Sequence, residues 1–536
     1  MKLMMPQLHD ATKWLQSTFS TLTGPSTSRP ISISGDHNRP HSTLSIVSTN
    51  TPESKPLLST SGVLSIAPTI ARNCLRTCIH FIVPSFLQPS APSTPILPAN
   101  HTSLSRAGRA HTLSSTAYLD GLRGTAAFLV FIYHFVYGYF PTLEAGFGYR
   151  PTDKNPLQLP IIRLYMCGAS MVSIFFVISG YVLSYKSITL IRRREYSSLL
   201  STLSSSTFRR AMRLFIPTLV SVLGIAALIQ CGAFTWAWKH ARHKKEILGW
   251  REQDPPILTG FSRQMNDAFW AWARMSNPFI WKEYFITYDL HLWTIPVEFR
   301  CSMVVFLSLL GLSKVKPWVR LTTLSIMAFT CLFYLGRWDV CLFLSGSVLA
   351  ELTIIRSESK TKGNDYLLFP ILLLGLYLAS QPAHEPGKTP GFRMITSYTP
   401  RTVSEKARFW PSIAAIIIVF ALSSSSPKGL QRPFTTGFAQ YLGKLSYALY
   451  LVHGPVCRSL GYWSVIKIWG YTGRTTTTGY IGGVLGGGIL VFATVFWVSD
   501  IFWRVVDVGC VRLARWVENT CLVKVDSPRP GEKLAN

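Results

Sequence analysis

Long apolar runs recur between residues 121 and 504, and they constrain the fold of this chain more than any other feature. A helix needs about 20 predominantly apolar residues to cross the roughly 30 Å hydrocarbon core of a bilayer. The runs lie at about 121–140, 165–186, 211–233, 292–312, 320–336, 338–355, 366–381, 409–423, 440–460 and 478–504. The sequence therefore predicts an all-α, integral membrane bundle of about ten transmembrane helices.

Charged residues are too scarce to cover a soluble protein of this size. The 536 residues include 53 Lys and Arg against 25 Asp and Glu, a formal charge of +28, yet charged residues make up only 15% and hydrophobic residues 48%. Soluble domains carry about 25% charged residues. The balance argues against a soluble nucleic-acid-binding protein and against a largely disordered chain. The partner it predicts is the lipid bilayer.

The composition divides the chain into three parts. Residues 1–115 are rich in Ser, Thr and Pro without a sustained apolar pattern, which predicts a disordered tail. Residues 116–507 form the predicted transmembrane domain, and 508–536 a second tail. Cations concentrate in the 187–213 loop and in later loops on the same side. By the positive-inside rule both termini are cytosolic, in a multi-pass protein of the endomembranes or the plasma membrane.

The ten cysteines are scattered and include no CxxC pair. Most lie inside apolar runs, which is typical of small core residues rather than of a disulfide framework or a zinc site. We therefore expect no metal.

Titratable groups inside the apolar runs are the candidate functional residues, because burying them in lipid is costly. Arg123 and His134 are eleven positions apart, so they share one helix face and are separated by about 16 Å along the axis. Glu298 enters its span from the side where His134 lies, and His453 reaches the same depth in the ninth run. Imidazole suits general-base catalysis, and a carboxylate can orient it. Structural hydrogen bonding remains the alternative for both histidines, and a local pair with Arg300 for Glu298.

Three arginines open the third run, namely Arg209, Arg210 and Arg213. They are either a topology-setting flank or, with Arg123, a clamp for phosphate, which guanidinium groups bind in a bidentate manner. If the clamp holds the phosphates of an acyl donor, the 16 Å rise to His134 suits the pantetheine arm of coenzyme A.

Four segments resemble the signatures of the acyltransferase 3 family, and two of them resemble its fungal branch. They are YLDGLRG (118–124) followed by Tyr133 and His134, SIFFVISGY (173–181), LWTIPVEFRCSM (292–303) and LSYALYLVHGP (445–455). The resemblance covers residues 118–507 in order. Fungal relatives typically have Gly where this chain has Cys301, to which we attach only a packing consequence.

The resemblance implies a ten-helix membrane enzyme that moves an acyl group, commonly acetyl, from acyl-CoA to a hydroxyl. The acceptor class is a small molecule, a secondary metabolite or a carbohydrate, and no cofactor is permanently bound. His134 would be the essential histidine, acting as base or acyl carrier, and Arg123 its partner at the donor end. Tyr450 and Ser446 are candidates to hydrogen-bond the oxyanion or the acceptor. The oligomeric state stays open.

Two alternatives are consistent with the same apolar pattern. A proton-coupled transporter would use His134, Glu298 and His453 as a relay, although matched internal halves are not evident. Another multi-span acyltransferase architecture uses a His and a distant Asn, but it lacks the spacing between Arg123 and His134.

Overall fold

The computed structural model describes residues 83–88, 114–241, 247–249, 252–359 and 363–523. Most of the predicted tail 1–115 and the last residues of the predicted tail 508–536 lie outside these ranges. Within them the regular structure is entirely helical, as the apolar pattern predicts.

The α-helices follow one another as α1 (Ala117–Val136), α2 (Gly168–Arg192), α3 (Tyr196–Gln230), α4 (Thr235–Ala241), α5 (Phe261–Met275), α6 (Thr294–Gly311), α7 (Pro317–Phe333), α8 (Trp338–Glu358), α9 (Asp365–Ala379), α10 (Arg393–Ser397), α11 (Lys406–Ser424), α12 (Gly437–Val456), α13 (Tyr462–Thr472), α14 (Thr477–Phe502) and α15 (Val508–Cys521). A 3-10 turn, Leu290–Trp293, leads into α6. Single π-helical turns, Cys457–Gly461 and Trp503–Asp507, join α12 to α13 and α14 to α15.

Seven helices of the described residues are long and apolar enough to cross a membrane, so the predicted count of about ten is not confirmed. They comprise α1, α2, α3, α6 with its preceding turn, α8, α11, and the continuous stretch Thr477–Cys521. The length and hydropathy of these seven helices nonetheless identify the chain as a membrane protein.

The three remaining apolar runs also form helices, but of a different kind. Helix α7 has 17 residues and α9 has 15, which correspond to about 26 and 23 Å and fall short of the hydrocarbon thickness. Helix α12 has 20 residues but includes Gln440, Lys444, Ser446 and His453. Its polar side chains lower its hydropathy, and this same helix contributes most to the candidate site.

Helices α1 and α12 approach each other at glycines. A methyl group at Gly124 would overlap the backbone of Leu442 and Gly443, and one at Gly443 would overlap the backbone of Asp120. Small residues allow such close backbone approach in membrane bundles. The crossing places Arg123 beside the main chain of α12, where its Nη2 donates to the Gly443 carbonyl at 3.1 Å.

Helices α2 and α8 form a second close crossing. Methyl groups at Gly180 and Gly346 would overlap the facing backbone, and the hydroxyls of Ser184 and Ser347 are 2.6 Å apart. Nearby, Arg320 on α7 and Glu351 on α8 form an ion pair in which both side chains are fully buried. These contacts join α2 and α7 to α8.

A short segment inside the predicted tail packs against α14. The backbone N–H and the hydroxyl of Ser85 donate to the two carboxylate oxygens of Asp500, at 3.1 and 2.5 Å. Ser85 therefore anchors this segment to the bundle through Asp500.

We expect Gly124→Ala to destabilise the protein by about 1–3 kcal/mol, because the added methyl group has to displace the backbone of α12. The measurement is thermal unfolding of the purified protein in detergent. Gly224→Ala is the matched control, since Gly224 lies inside α3 and, beyond its own stretch of helix, no atom of the described residues lies within 4 Å of the added methyl group. Alanine there should stabilise the helix by about 0.5–1 kcal/mol. Equal effects at the two sites would contradict the close crossing.

Candidate active site

Three histidines from separate elements meet at one end of the α1–α12 crossing. His134 lies in the last turn of α1, His291 in the 3-10 turn before α6, and His453 in the last turn of α12. The ring nitrogens Nδ1 of His134 and Nε2 of His291 are 3.0 Å apart. The centroid of the His453 ring is 5.3 Å from that of His134 and 4.6 Å from that of His291. We call His134, His291 and His453 the histidine cluster.

Local backbone structure fixes two of the three rings. Asp289 caps the 3-10 turn: its Oδ1 accepts from the His291 N–H at 3.1 Å and lies 2.6 Å from His291 Nδ1. In α12, His453 Nδ1 is 3.0 Å from the Leu449 carbonyl oxygen, to which it donates. A neutral His453 therefore carries its lone pair on Nε2. That atom is buried and has no hydrogen-bond partner among the described residues.

A carboxylate from the loop between α4 and α5 completes the cluster. Glu252 is 7% exposed, and its Oε1 lies 2.9 Å from His291 Nε2 and 3.4 Å from His134 Nδ1. The Tyr137 hydroxyl donates to the same oxygen at 2.5 Å. Arg458 Nε lies 3.5 Å from Oε2.

Glu252 is ionised in this environment. Burial by itself raises the pKa of its carboxyl. The charge of His291, hydrogen bonds from the two histidines and the charge of Arg458 outweigh burial, and the pKa lies well below its usual range. Glu252 thus supplies a fixed negative charge beside His134.

Glu298 does not join the histidine cluster, in contrast to the predicted convergence of His134, Glu298 and His453. Its Oε1 pairs with Arg210 Nη2 at 2.7 Å and accepts from the Ser179 hydroxyl at 3.3 Å. Seven residues of helical rise, about 10 Å, separate it from His291. Glu252, from a loop remote in sequence, occupies the position beside the imidazoles.

A cavity lies next to Glu298. Its charged lining consists of Arg123, Arg210, Arg213, Lys444, Glu298 and Asp507. Four cations against two carboxylates leave an excess of positive charge. The remaining wall is mostly apolar, with Val172, Phe175, Phe176, Leu214 and Ile295. A ligand with an anionic end and a neutral chain matches this division.

Arg209, predicted with the other arginines, lies outside the cavity. Its Nε pairs with Glu518 Oε2 of α15 at 3.1 Å. The ion pair directs the Arg209 side chain toward α15 instead of the cavity. Three of the four predicted arginines therefore line the cavity, and Lys444 joins them.

Tyr450 lies between the cavity and the histidine cluster. It lines the cavity, while its hydroxyl donates to the His291 carbonyl and accepts from the Thr294 hydroxyl at 2.7 Å. Its ring centroid is 5.9 Å from that of His453. Ser446 also lines the cavity, but its hydroxyl donates to the Gly443 carbonyl at 2.9 Å. The three histidines are not part of the cavity wall.

Sequence reasoning missed five residues of this region, namely Lys444, Glu252, Asp289, His291 and Arg458. Asp289 and His291 lie within the three residues before the 292–303 segment, and the pattern Asp-x-His before a helix is a signal for a capped histidine. Glu252 carries no such signal, because it lies in an irregular loop.

The arrangement can accept and hold a proton at an imidazole beside a fixed carboxylate. A histidine whose second nitrogen faces a carboxylate is a competent general base. About 16 Å of helical rise from His134, the cationic cavity at Arg123 can hold an anionic group.

Comparison with known proteins agrees with these features. The family model described as "Acyltransferase domain" matches residues 116–503. The chain is 33% identical to the O-acetyltransferase PaAT-1 of Phomopsis amygdali over 78% of this chain and 87% of that protein. It is 27% identical to the acyltransferase R4 of a Phoma species (72% and 92%) and 27% to the acyltransferase clz18 of Cochliobolus lunatus (73% and 93%). No solved structure matches.

We expect Arg458 to stabilise the folded protein chiefly through its charge, because it lies beside the ionised carboxylate of Glu252. Arg458→Met should destabilise the protein by about 3–5 kcal/mol, since it removes one of the cations beside a buried carboxylate. Combining it with Glu252→Gln should recover about 1–3 kcal/mol of that loss. Thermal unfolding of the two single variants and the double variant measures the coupling. Strict additivity would contradict the pairing.

Proposed function

The chain belongs to the acyltransferase 3 family, and on that premise we propose that it moves an acyl group, specifically acetyl, from acyl-CoA to a hydroxyl. The single observation that carries the proposal is the histidine cluster with its carboxylate, which lies about 16 Å of helical rise from Arg123 in the cationic cavity. The family and the named relatives favour an enzyme over the transporter.

The cationic cavity supports coenzyme A as the donor. Arg123, Arg210, Arg213 and Lys444 supply the charge-assisted donors that phosphates require. The apolar wall continues toward Tyr450 and Thr294, which border the histidine cluster. Glu298 holds Arg210 in place rather than acting on the imidazoles.

The relatives support the acetyl group and the hydroxyl acceptor. PaAT-1 is named an O-acetyltransferase, and the other two are named acyltransferases. We propose a hydroxylated small molecule, a secondary metabolite or a carbohydrate, as the acceptor class.

In the proposed reaction His134 removes the proton of the acceptor hydroxyl. The oxygen forms a bond to the thioester carbon as the carbon–sulfur bond breaks, and the thiolate of coenzyme A takes the proton back from the imidazolium. Glu252 stabilises that imidazolium, and His453 supplies a second buried imidazole. Tyr450 and Ser446 would donate to the oxyanion after exchanging their present backbone acceptors for substrate.

We expect His134→Ala to abolish acyl transfer while the protein stays in the membrane, because the base is gone. The measurement is comparative metabolite profiling of a gene-deletion strain that carries the wild-type or the variant chain. The variant strain should accumulate a compound lighter by one acyl group. His384→Ala, at an exposed histidine away from the cluster, is the control and should restore the product. Full product formation with His134→Ala would refute the assignment.

We expect Arg213→Ala to weaken binding of acetyl-CoA by about 10-fold, the effect of one charge-assisted contact. Calorimetric titration of acetyl-CoA into the purified protein measures the dissociation constant without knowledge of the acceptor. Arg193→Ala is the matched control, because Arg193 is largely exposed in the turn between α2 and α3.

Arg209→Ala separates the sequence prediction from the structure. If Arg209 faces Glu518, its replacement should weaken acetyl-CoA binding much less than Arg213→Ala does. An equal loss of affinity would indicate that Arg209 also contacts acetyl-CoA.

A further inference from the structure

The histidine cluster has the geometry of a metal site. One nitrogen from each of His134, His291 and His453 lies within 4.8 Å of the other two. Glu252 Oε1 adds an oxygen 2.9 Å from His291 Nε2 and 3.4 Å from His134 Nδ1. Ligand bonds of about 2.0–2.2 Å in a tetrahedron place neighbouring ligand atoms about 3.3 Å apart. The separations among His134, His291 and Glu252, 2.9–3.4 Å, are close to that value, and the His453 nitrogen lies within 4.8 Å of the other two histidine nitrogens.

The far nitrogens of two rings are held as in metal sites. Histidine ligands almost always donate their second N–H to a carboxylate or a backbone carbonyl, which fixes the tautomer and the ring orientation. His291 Nδ1 has Asp289 at 2.6 Å, and His453 Nδ1 has the Leu449 carbonyl at 3.0 Å. Both rings therefore direct Nε2 into the cluster.

The Nε2 atom of His453 is the polar atom of the cluster that most needs a partner. His453 is 1% exposed, and its Nε2 has no hydrogen-bond partner among the described residues. A buried lone pair without a donor is costly, and a cation relieves that cost.

We propose that His134, His291, His453 and Glu252 form a binding site for a divalent metal ion of the zinc type. The ligand set contains imidazole and carboxylate and no thiolate, which suits zinc in three-histidine sites. This assignment replaces the expectation from the sequence that the chain holds no metal.

Metal binding inhibits acyl transfer, a consequence that rests on the proposed function. The metal would occupy Nδ1 of His134 and neutralise Glu252. The imidazole would then retain its proton on Nε2 and could no longer act as the base.

Cobalt(II) is the probe for the site, because its visible absorption reports tetrahedral coordination. The full-length protein in detergent is stripped with chelator and titrated with Co²⁺. We expect an intense visible band that saturates at one equivalent and is displaced by Zn²⁺. His453→Ala and His291→Ala should weaken binding by about 100-fold, and Asp289→Asn, which alters only the support of a ligand, by about 10-fold. His384→Ala should bind as the wild type does. Thermal unfolding verifies that each variant is folded.

Two results would overturn the site: no tetrahedral band in the folded wild-type protein, or binding that persists unchanged in both His291→Ala and His453→Ala. Activity is measured separately, as transfer from labelled acetyl-CoA to the product found by metabolite profiling. Loss of transfer on addition of one equivalent of Zn²⁺, reversed by chelator, supports inhibition. Undiminished transfer with the metal bound overturns inhibition but not the site. A bound metal in a protein without any acyl transfer keeps the site and refutes the proposed function.

Discussion

The Coulombic attraction between two buried carboxylates and the groups around them holds the candidate site together. Glu252 and Asp289 are almost completely buried, and each lies within hydrogen-bond distance of His291. In a region of low dielectric, an ionised carboxylate is stable only if cations and donors surround it. His134, Tyr137 and Arg458 meet that requirement for Glu252. The ends of α1, α6 and α12 are thereby brought to one point.

Close helix packing sets the distance between this point and the cationic cavity. Gly124 and Gly443 let α1 and α12 cross with their backbones in contact, so Arg123 and His134 lie against the same partner helix at opposite ends. Tyr450 on α12 then lies between the cavity and the histidine cluster. Helix α12 is too polar to be counted among the seven spanning helices. It nonetheless contributes Lys444, Ser446 and Tyr450 to the cavity and His453 to the histidine cluster.

Periodicity and spacing predicted much of this arrangement. The apolar runs indicated an all-helical membrane protein, and the family resemblance is confirmed. The eleven-residue interval placed Arg123 and His134 on one face, and three of four predicted arginines line one cavity. The helix count was less accurate, because run length alone does not distinguish a spanning helix from a shorter buried one such as α7 or α9.

The sequence by itself determined what depends on neighbours along one helix: the helical class, the shared face of Arg123 and His134, and the motifs of the family. Only the tertiary structure decided which charges meet. It paired Glu298 with Arg210, turned Arg209 toward Glu518 and brought Glu252 from an irregular loop to His134 and His291. The physical reason is that a buried charge takes the partner that the packing of distant segments provides, and helical periodicity carries no information about that packing.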